Sequence, residues 1–170
     1  MYPVGEGAKR VVVIGVSFFG WRLSQGRGFV HIGGMTDDWT DALPPDLAAF
    51  EAIAHAALVA LPAPFYAAAR GVVLRVEDFA PDAMLEDLGM TDPFGLTGLY
   101  DGIPLTEKSV MDQPGGPDVI WLFRRAILDE WIARGDIGLA DLIAHVVVHE
   151  LAHHLGWSDA DIARIDRWWE

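Results

Sequence analysis

The chain has 170 residues, of which 52% are hydrophobic and 22% charged, with a formal net charge of −13. Such a length and composition suit a single soluble globular domain with its own core and exclude a disordered chain. Cysteine is absent, which excludes disulfides and thiolate metal sites, so any metal must be held by nitrogen and oxygen.

The charge is unevenly spread. Residues 1–34 carry Lys9, Arg10, Arg22 and Arg27 against Glu6, a balance of +3, and the remaining 8 basic and 24 acidic residues leave −16 from Met35 onward. An acidic body repels nucleic acid and anionic membranes, so neither is an expected partner. The acidity also serves solubility.

In chain order, "KRVVVIGVSFFGW" sets two basic residues before an apolar run. The run is too short to cross a bilayer, which needs about 20 residues. It has the length of a secretory apolar region, yet "RLSQGRG" offers no Ala-x-Ala cleavage site. The other readings are an added β-strand, followed by a glycine-rich loop and a second strand at "GFVHIGG", or an extension ahead of a natural start at Met35. Residues 1–34 are therefore set apart from a domain over 35–170, and the expected location is the cytoplasm.

Asp46 opens a helix in which Leu47, Phe50, Ile53, Ala54, Ala57, Leu58 and Leu61 recur at helical period, and Pro62 stops it. "GVVLRVEDF" alternates as a strand does, and "PDAMLEDLG" is a short helix closed by Gly89. "GLTGLYDGIPL" reads as a strand ending in the turn Asp101-Gly102, "DQPGGPD" as a loop and "VIWLF" as a strand. "RRAILDEWIARGD" is an amphipathic helix with Ile127, Leu128 and Trp131 inward and Gly135 past its end. The longest helix, "LADLIAHVVVHELAHHLG", stops at Gly156, and Ser158 caps a last one. Interleaved helices and strands without an internal repeat indicate an α+β domain.

The long helix carries the chemistry. Leu142, Ile143, Val146, Val147, Val148, Leu151 and Leu155 make it apolar almost all round, so it is buried on most sides. Its polar groups need partners, since an unpaired one costs a few kcal/mol. His149 and His153 lie one turn apart on one face, where two imidazoles converge on a single ion. Glu150 stands next to the first of them, placed to take a proton from a zinc-activated water in peptide hydrolysis. The spacing continues as H-E-x-x-H-x-x-G-x-x-D. Gly156 can turn the chain back, and Asp159 can bring a carboxylate under the two histidines as third ligand. His154 and Asp161 are weaker alternatives for that role. Asp159 could also serve merely as a first-turn acid of the last helix. His145 suits a supporting position behind the ligands, and His154 a structural one; His31 and His55 have no partners in sequence. Trp157, Trp168 and Trp169 are expected to pack over the core rather than to form a substrate wall. Arg124 and Arg125 suit salt bridges before oxyanion stabilisation, and Tyr100 is a further conceivable oxyanion donor.

The sequence resembles the small bacterial zincin-like metallopeptidases with a minimal zincin fold. Three blocks carry the likeness: "GLYDGIPLTEKS", "PDVIWLFRRAIL" and "HVVVHELAHHLGWSDADI". It runs over roughly Asp46 to Asp166, and the last block is the specific one. Residues 1–34 have no counterpart, and Ala126 stands where a proline is expected. The resemblance implies a small mixed sheet beside an active-site helix. It also implies His149, His153 and Asp159 as metal ligands, Glu150 as catalytic acid/base and Zn(2+) as cofactor. An edge strand would border the cleft and accept an extended peptide, with "VIWLF" the candidate for it.

The expected function is accordingly zinc-dependent peptide hydrolysis on a peptide or protein substrate, by a monomer. A zinc-stabilised peptide- or protein-binding domain without turnover is an alternative, as is a zinc hydrolase of a non-peptide amide. A purely structural zinc site closes with four protein ligands and has no use for a base. Three ligands beside Glu150 favour catalysis.

Overall fold

The computed structural model describes residues 44–109 and 116–165, with side chains through Ile162. The expectations for residues 1–34, for most of the "DQPGGPD" loop and for Trp168 and Trp169 fall outside that range. Helix α1 spans Leu47–Ala60, and the Asp46 carboxylate accepts from the Ala49 N–H at 2.8 Å, satisfying one of the open donors at its start. Its buried face is Phe50, Ala54 and Leu58.

Beyond Pro62 lies a helix the periodicity does not suggest, α2 (Ala63–Ala69). Pro62 ends α1 and also introduces α2, with Pro64 in its first turn, where the missing N–H costs nothing. Strand β1 (Val72–Glu77), the short helix α3 (Asp82–Asp87) and strand β2 (Gly98–Asp101) follow. Strand β3 (Asp118–Phe123) runs without a linker into α4 (Arg124–Arg134), which ends on Gly135 at a left-handed φ of 67°. Helix α5 is Leu139–His154 and α6 is Asp159–Ile165.

The sheet order is β1-β3-β2. β1 runs parallel to β3 with Val72 opposite Asp118 and Glu77 opposite Phe123. β2 runs antiparallel to it with Gly98 opposite Leu122 and Asp101 opposite Val119. The fold is thus α+β, built on a small mixed sheet. "VIWLF" belongs to β3, the central strand and not the edge expected of it. Its dense apolar run is what a strand paired on both sides and covered on both faces requires. The edge beside α5 is β2.

Both α1 and α5 pack on one face of the sheet. There Phe50, Ala54 and Leu58 meet Val76, Tyr100, Ile120, Leu122, Leu142, Ile143, Val147 and Leu151 in one core cluster. A smaller cluster on the opposite face joins Leu85, Leu96, Leu99, Phe123 and Ala126. Among the described residues no helix is long and apolar enough to cross a membrane.

Candidate metal centre

The end of α5 makes the site. Ala152 accepts from the Trp157 N–H at 3.0 Å and His153 from the Gly156 N–H at 2.9 Å, the paired bonds that close a helix around a left-handed residue. Gly156 supplies that residue at φ 89°. The chain reverses, and Ser158 starts α6 reciprocally with Asp161: the Asp161 N–H donates to Ser158 Oγ at 3.3 Å, and the Ser158 N–H to Asp161 Oδ2 at 3.2 Å. Asp161, the weaker candidate ligand, is committed to that cap.

The turn delivers Asp159 to the histidines. His149 Nε2 and His153 Nε2 are 3.2 Å apart, and Asp159 Oδ1 lies 3.4 Å from each. Ligand atoms about 2.0–2.1 Å from one zinc at tetrahedral angles stand roughly 3.3 Å from each other. The three atoms therefore match one face of such a tetrahedron, and no fourth His, Asp or Glu joins the group among the described residues. The His153 side chain is 2% exposed, against 21% for His149 and 61% for Asp159. One corner is anchored in the core and the other two open to solvent. Burial, and next the charge of His149, push His153 down to about 4, partly countered by Asp159. The ring is neutral at pH 7, the form that ligates a metal.

Glu150 sits on the inner side of the helix, 2% exposed. The Tyr100 N–H of β2 donates to its carboxylate, while Oε2 is buried without a partner. Gly98 makes the approach feasible: a β-carbon there would stand 2.6 Å from Val146 Cγ1 and 2.9 Å from Glu150 Oε1. Burial pushes the carboxyl well above its ordinary range, and the Asp159 charge adds to this against the Tyr100 bond. A buried, half-satisfied carboxyl beside a three-donor group is costly for packing alone, which marks Glu150 as a candidate functional group.

A family model for zincin-like metallopeptidases matches residues 69–169, more than half of the chain. The chain belongs to the zincin-like metallopeptidase family. No curated protein matches it. The match starts at the end of α2, yet α1 is part of the zincin-like core, since its Phe50, Ala54 and Leu58 pack in the same cluster as Val146, Val147 and Leu151 of α5.

The other candidate residues of this zincin-like domain stand apart from the metal group. Arg124 pairs with Asp78 at 2.7 Å and donates to the Pro45 carbonyl at 3.0 Å, the salt-bridge duty expected of it. The Arg125 guanidinium lies over the Phe79 ring. Tyr100, named as an oxyanion donor, is fully buried, and its hydroxyl donates to the Ile103 carbonyl at 3.0 Å. Its backbone N–H, not its hydroxyl, is turned to the Glu150 carboxylate. The His145 ring lies tilted beside that of His149, 6.2 Å between centroids. His154 is buried against Tyr100 as a structural residue. His55 is exposed on α1. Trp157 is 37% exposed instead of packed over the core, because the Gly156 turn carries it outward. Gly98, Thr106, Lys108 and Asp118 fall in no recognisable spacing with the histidines, so only the fold reveals their place near the site.

Proposed function

We propose that this domain is a zinc-dependent metallopeptidase, with His149, His153 and Asp159 holding the ion and Glu150 moving the proton. The observation that carries it is the triangle of 3.2, 3.4 and 3.4 Å between His149 Nε2, His153 Nε2 and Asp159 Oδ1. Zinc bound there would supply Lewis-acid activation of water and of the scissile carbonyl.

The protein's own groups do the rest. Glu150 Oε2 is the buried acceptor with no partner. It takes the proton from water as the O–C bond forms and returns it to the amide nitrogen as the C–N bond breaks. Burial raises this carboxyl well above its ordinary range, and positive charge brought to the neighbouring ligand group would favour its ionised form. β2 is an edge strand whose Tyr100 N–H already binds Glu150. The open side at His149 and Asp159 lets water and substrate in.

Metal analysis with a peptide-library cleavage assay on wild type, Glu150→Gln and Asp159→Ala tests this reading. Wild type should hold one zinc and cleave. Glu150→Gln should keep zinc and lose about 10²- to 10⁴-fold in kcat, and Asp159→Ala should lose most of its zinc. Stoichiometric zinc in a wild type that cleaves no peptide would indicate a binding domain or a non-peptide hydrolase instead.

A further inference from the structure

Behind the metal group lies a second polar cluster. His154, the last residue of α5, is 2% exposed, and its Nδ1 stands 3.0 Å from the Tyr100 hydroxyl and 3.4 Å from Asp118 Oδ2. The Tyr100 hydroxyl spends its proton on the Ile103 carbonyl at 3.0 Å. It must therefore accept from His154, which fixes the proton on Nδ1. Asp118, at the start of β3, pairs with Lys108 and faces the Ile103 N–H at 3.4 Å. The His154 main chain is held as well: its carbonyl accepts from the Leu105 N–H at 2.8 Å. One residue further, Thr106 fills the space that a β-carbon on Gly156 would occupy.

Residues 102–108, between β2 and β3, thus grip the end of α5 by ring, by backbone and by the seat of Thr106 on Gly156. Asp159, five positions after His154, is 61% exposed, so burial does little to place it. Its location follows from the turn at Gly156.

We propose that the Tyr100–His154–Asp118–Lys108 network, with Thr106 on Gly156, is a positioning device for the third metal ligand. It clamps the last turn of α5 to the β2–β3 connection so that Asp159 meets His149 and His153 at bonding range. The inference rests on the assignment of Asp159 as a ligand. The network touches neither metal nor substrate and acts through the Gly156 turn alone.

Zinc affinity of the full chain, measured by competition with a chromophoric chelator, reads this out. Tyr100→Phe and Lys108→Met are placed in the wild-type and the Asp159→Ala backgrounds. In the wild-type background each should weaken zinc about 10- to 100-fold, as loss of groups supporting metal ligands does. In the Asp159→Ala background neither should weaken it further, because the ligand they position is gone. Wild-type affinity in both variants, with Asp159→Ala clearly weakened, overturns the positioning role alone. Equal losses in both backgrounds also overturn it, since the network would then act on the histidines or on the fold at large. Undiminished zinc binding by Asp159→Ala sinks the ligand assignment and this inference together. Should Tyr100→Phe fail to fold by circular dichroism, Lys108→Met, whose side chain is 40% exposed, decides the matter.

Discussion

At the residue scale, the role proposed for Glu150 is set against stability. Its carboxyl is fully enclosed, lacks a partner on one oxygen, and is pushed above its ordinary value of 4.5. The sign follows directly: a carboxyl whose folded pKa is raised stabilises below 4.5, where both states are neutral, and that stability is lost as pH rises toward the folded pKa. Glu150→Gln removes the ionisable group, so the metal-free variant should melt a few degrees above metal-free wild type at pH 7. Each kcal/mol recovered is worth about 2–4 °C in a chain of this size, and calorimetry in chelator checks it. Gly98 is the complementary case. An alanine methyl there would stand 2.6 Å from Val146 and 2.9 Å from Glu150 Oε1, displacing the carboxylate while leaving His149 and His153 in place. Gly98→Ala should lower kcat about 10- to 100-fold with zinc affinity near wild type, as steady-state kinetics and chelator competition will show.

At the element scale, the α5–turn–α6 unit is more than two helices joined by a loop. Gly156 at φ 89° ends one helix, and its missing side chain admits Thr106. The Ser158–Asp161 cap then starts the next helix with Asp159 in its first turn. Gly156→Ala combines a left-handed conformation, costing about 1–2 kcal/mol, with overlap at the Thr106 side chain, which would have to shift. Thermal unfolding should show a drop of at least several degrees. Chelator competition should show zinc weakened more than about tenfold, because the turn carries Asp159, the proposed third ligand. Helical periodicity reveals α5 and its stop at Gly156 at once, for the signal is local. The split at Pro62 into α1 and α2 is hidden from periodicity, because a proline that ends one helix can equally begin another.

At the scale of the whole molecule, opposing titrations meet in the metal-free protein. Burial, together with the His149 charge, lowers His153 from 6.5 to about 4, and burial lowers His154 too. The His153 contribution is complete above 6.5 and is lost as pH falls toward about 4, since only the unfolded chain takes up the proton, and His154 acts in the same direction. Glu150 acts oppositely above 4.5. Between 4.5 and 6.5 the two slopes offset in wild type. Denaturant unfolding of metal-free Glu150→Gln should therefore show stability rising more steeply with pH across that window than in wild type. An equal slope would mean that the carboxyl does not titrate as its burial requires. What the sequence alone determined is whatever depends on neighbours a turn apart: α5 and its apolar faces, the pairing of His149 with His153, the Gly156 stop, the Ser158 cap and the α+β interleaving. Residues separated by a long loop carry no such signature. That β3 is central and β2 the edge, that Tyr100 offers its backbone rather than its hydroxyl, and that Asp118 and Lys108 stand behind His154 were decided only in three dimensions. Strand order and buried polar partnerships arise from contacts across tens of residues, where burial and hydrogen bonding, not local spacing, set which groups meet.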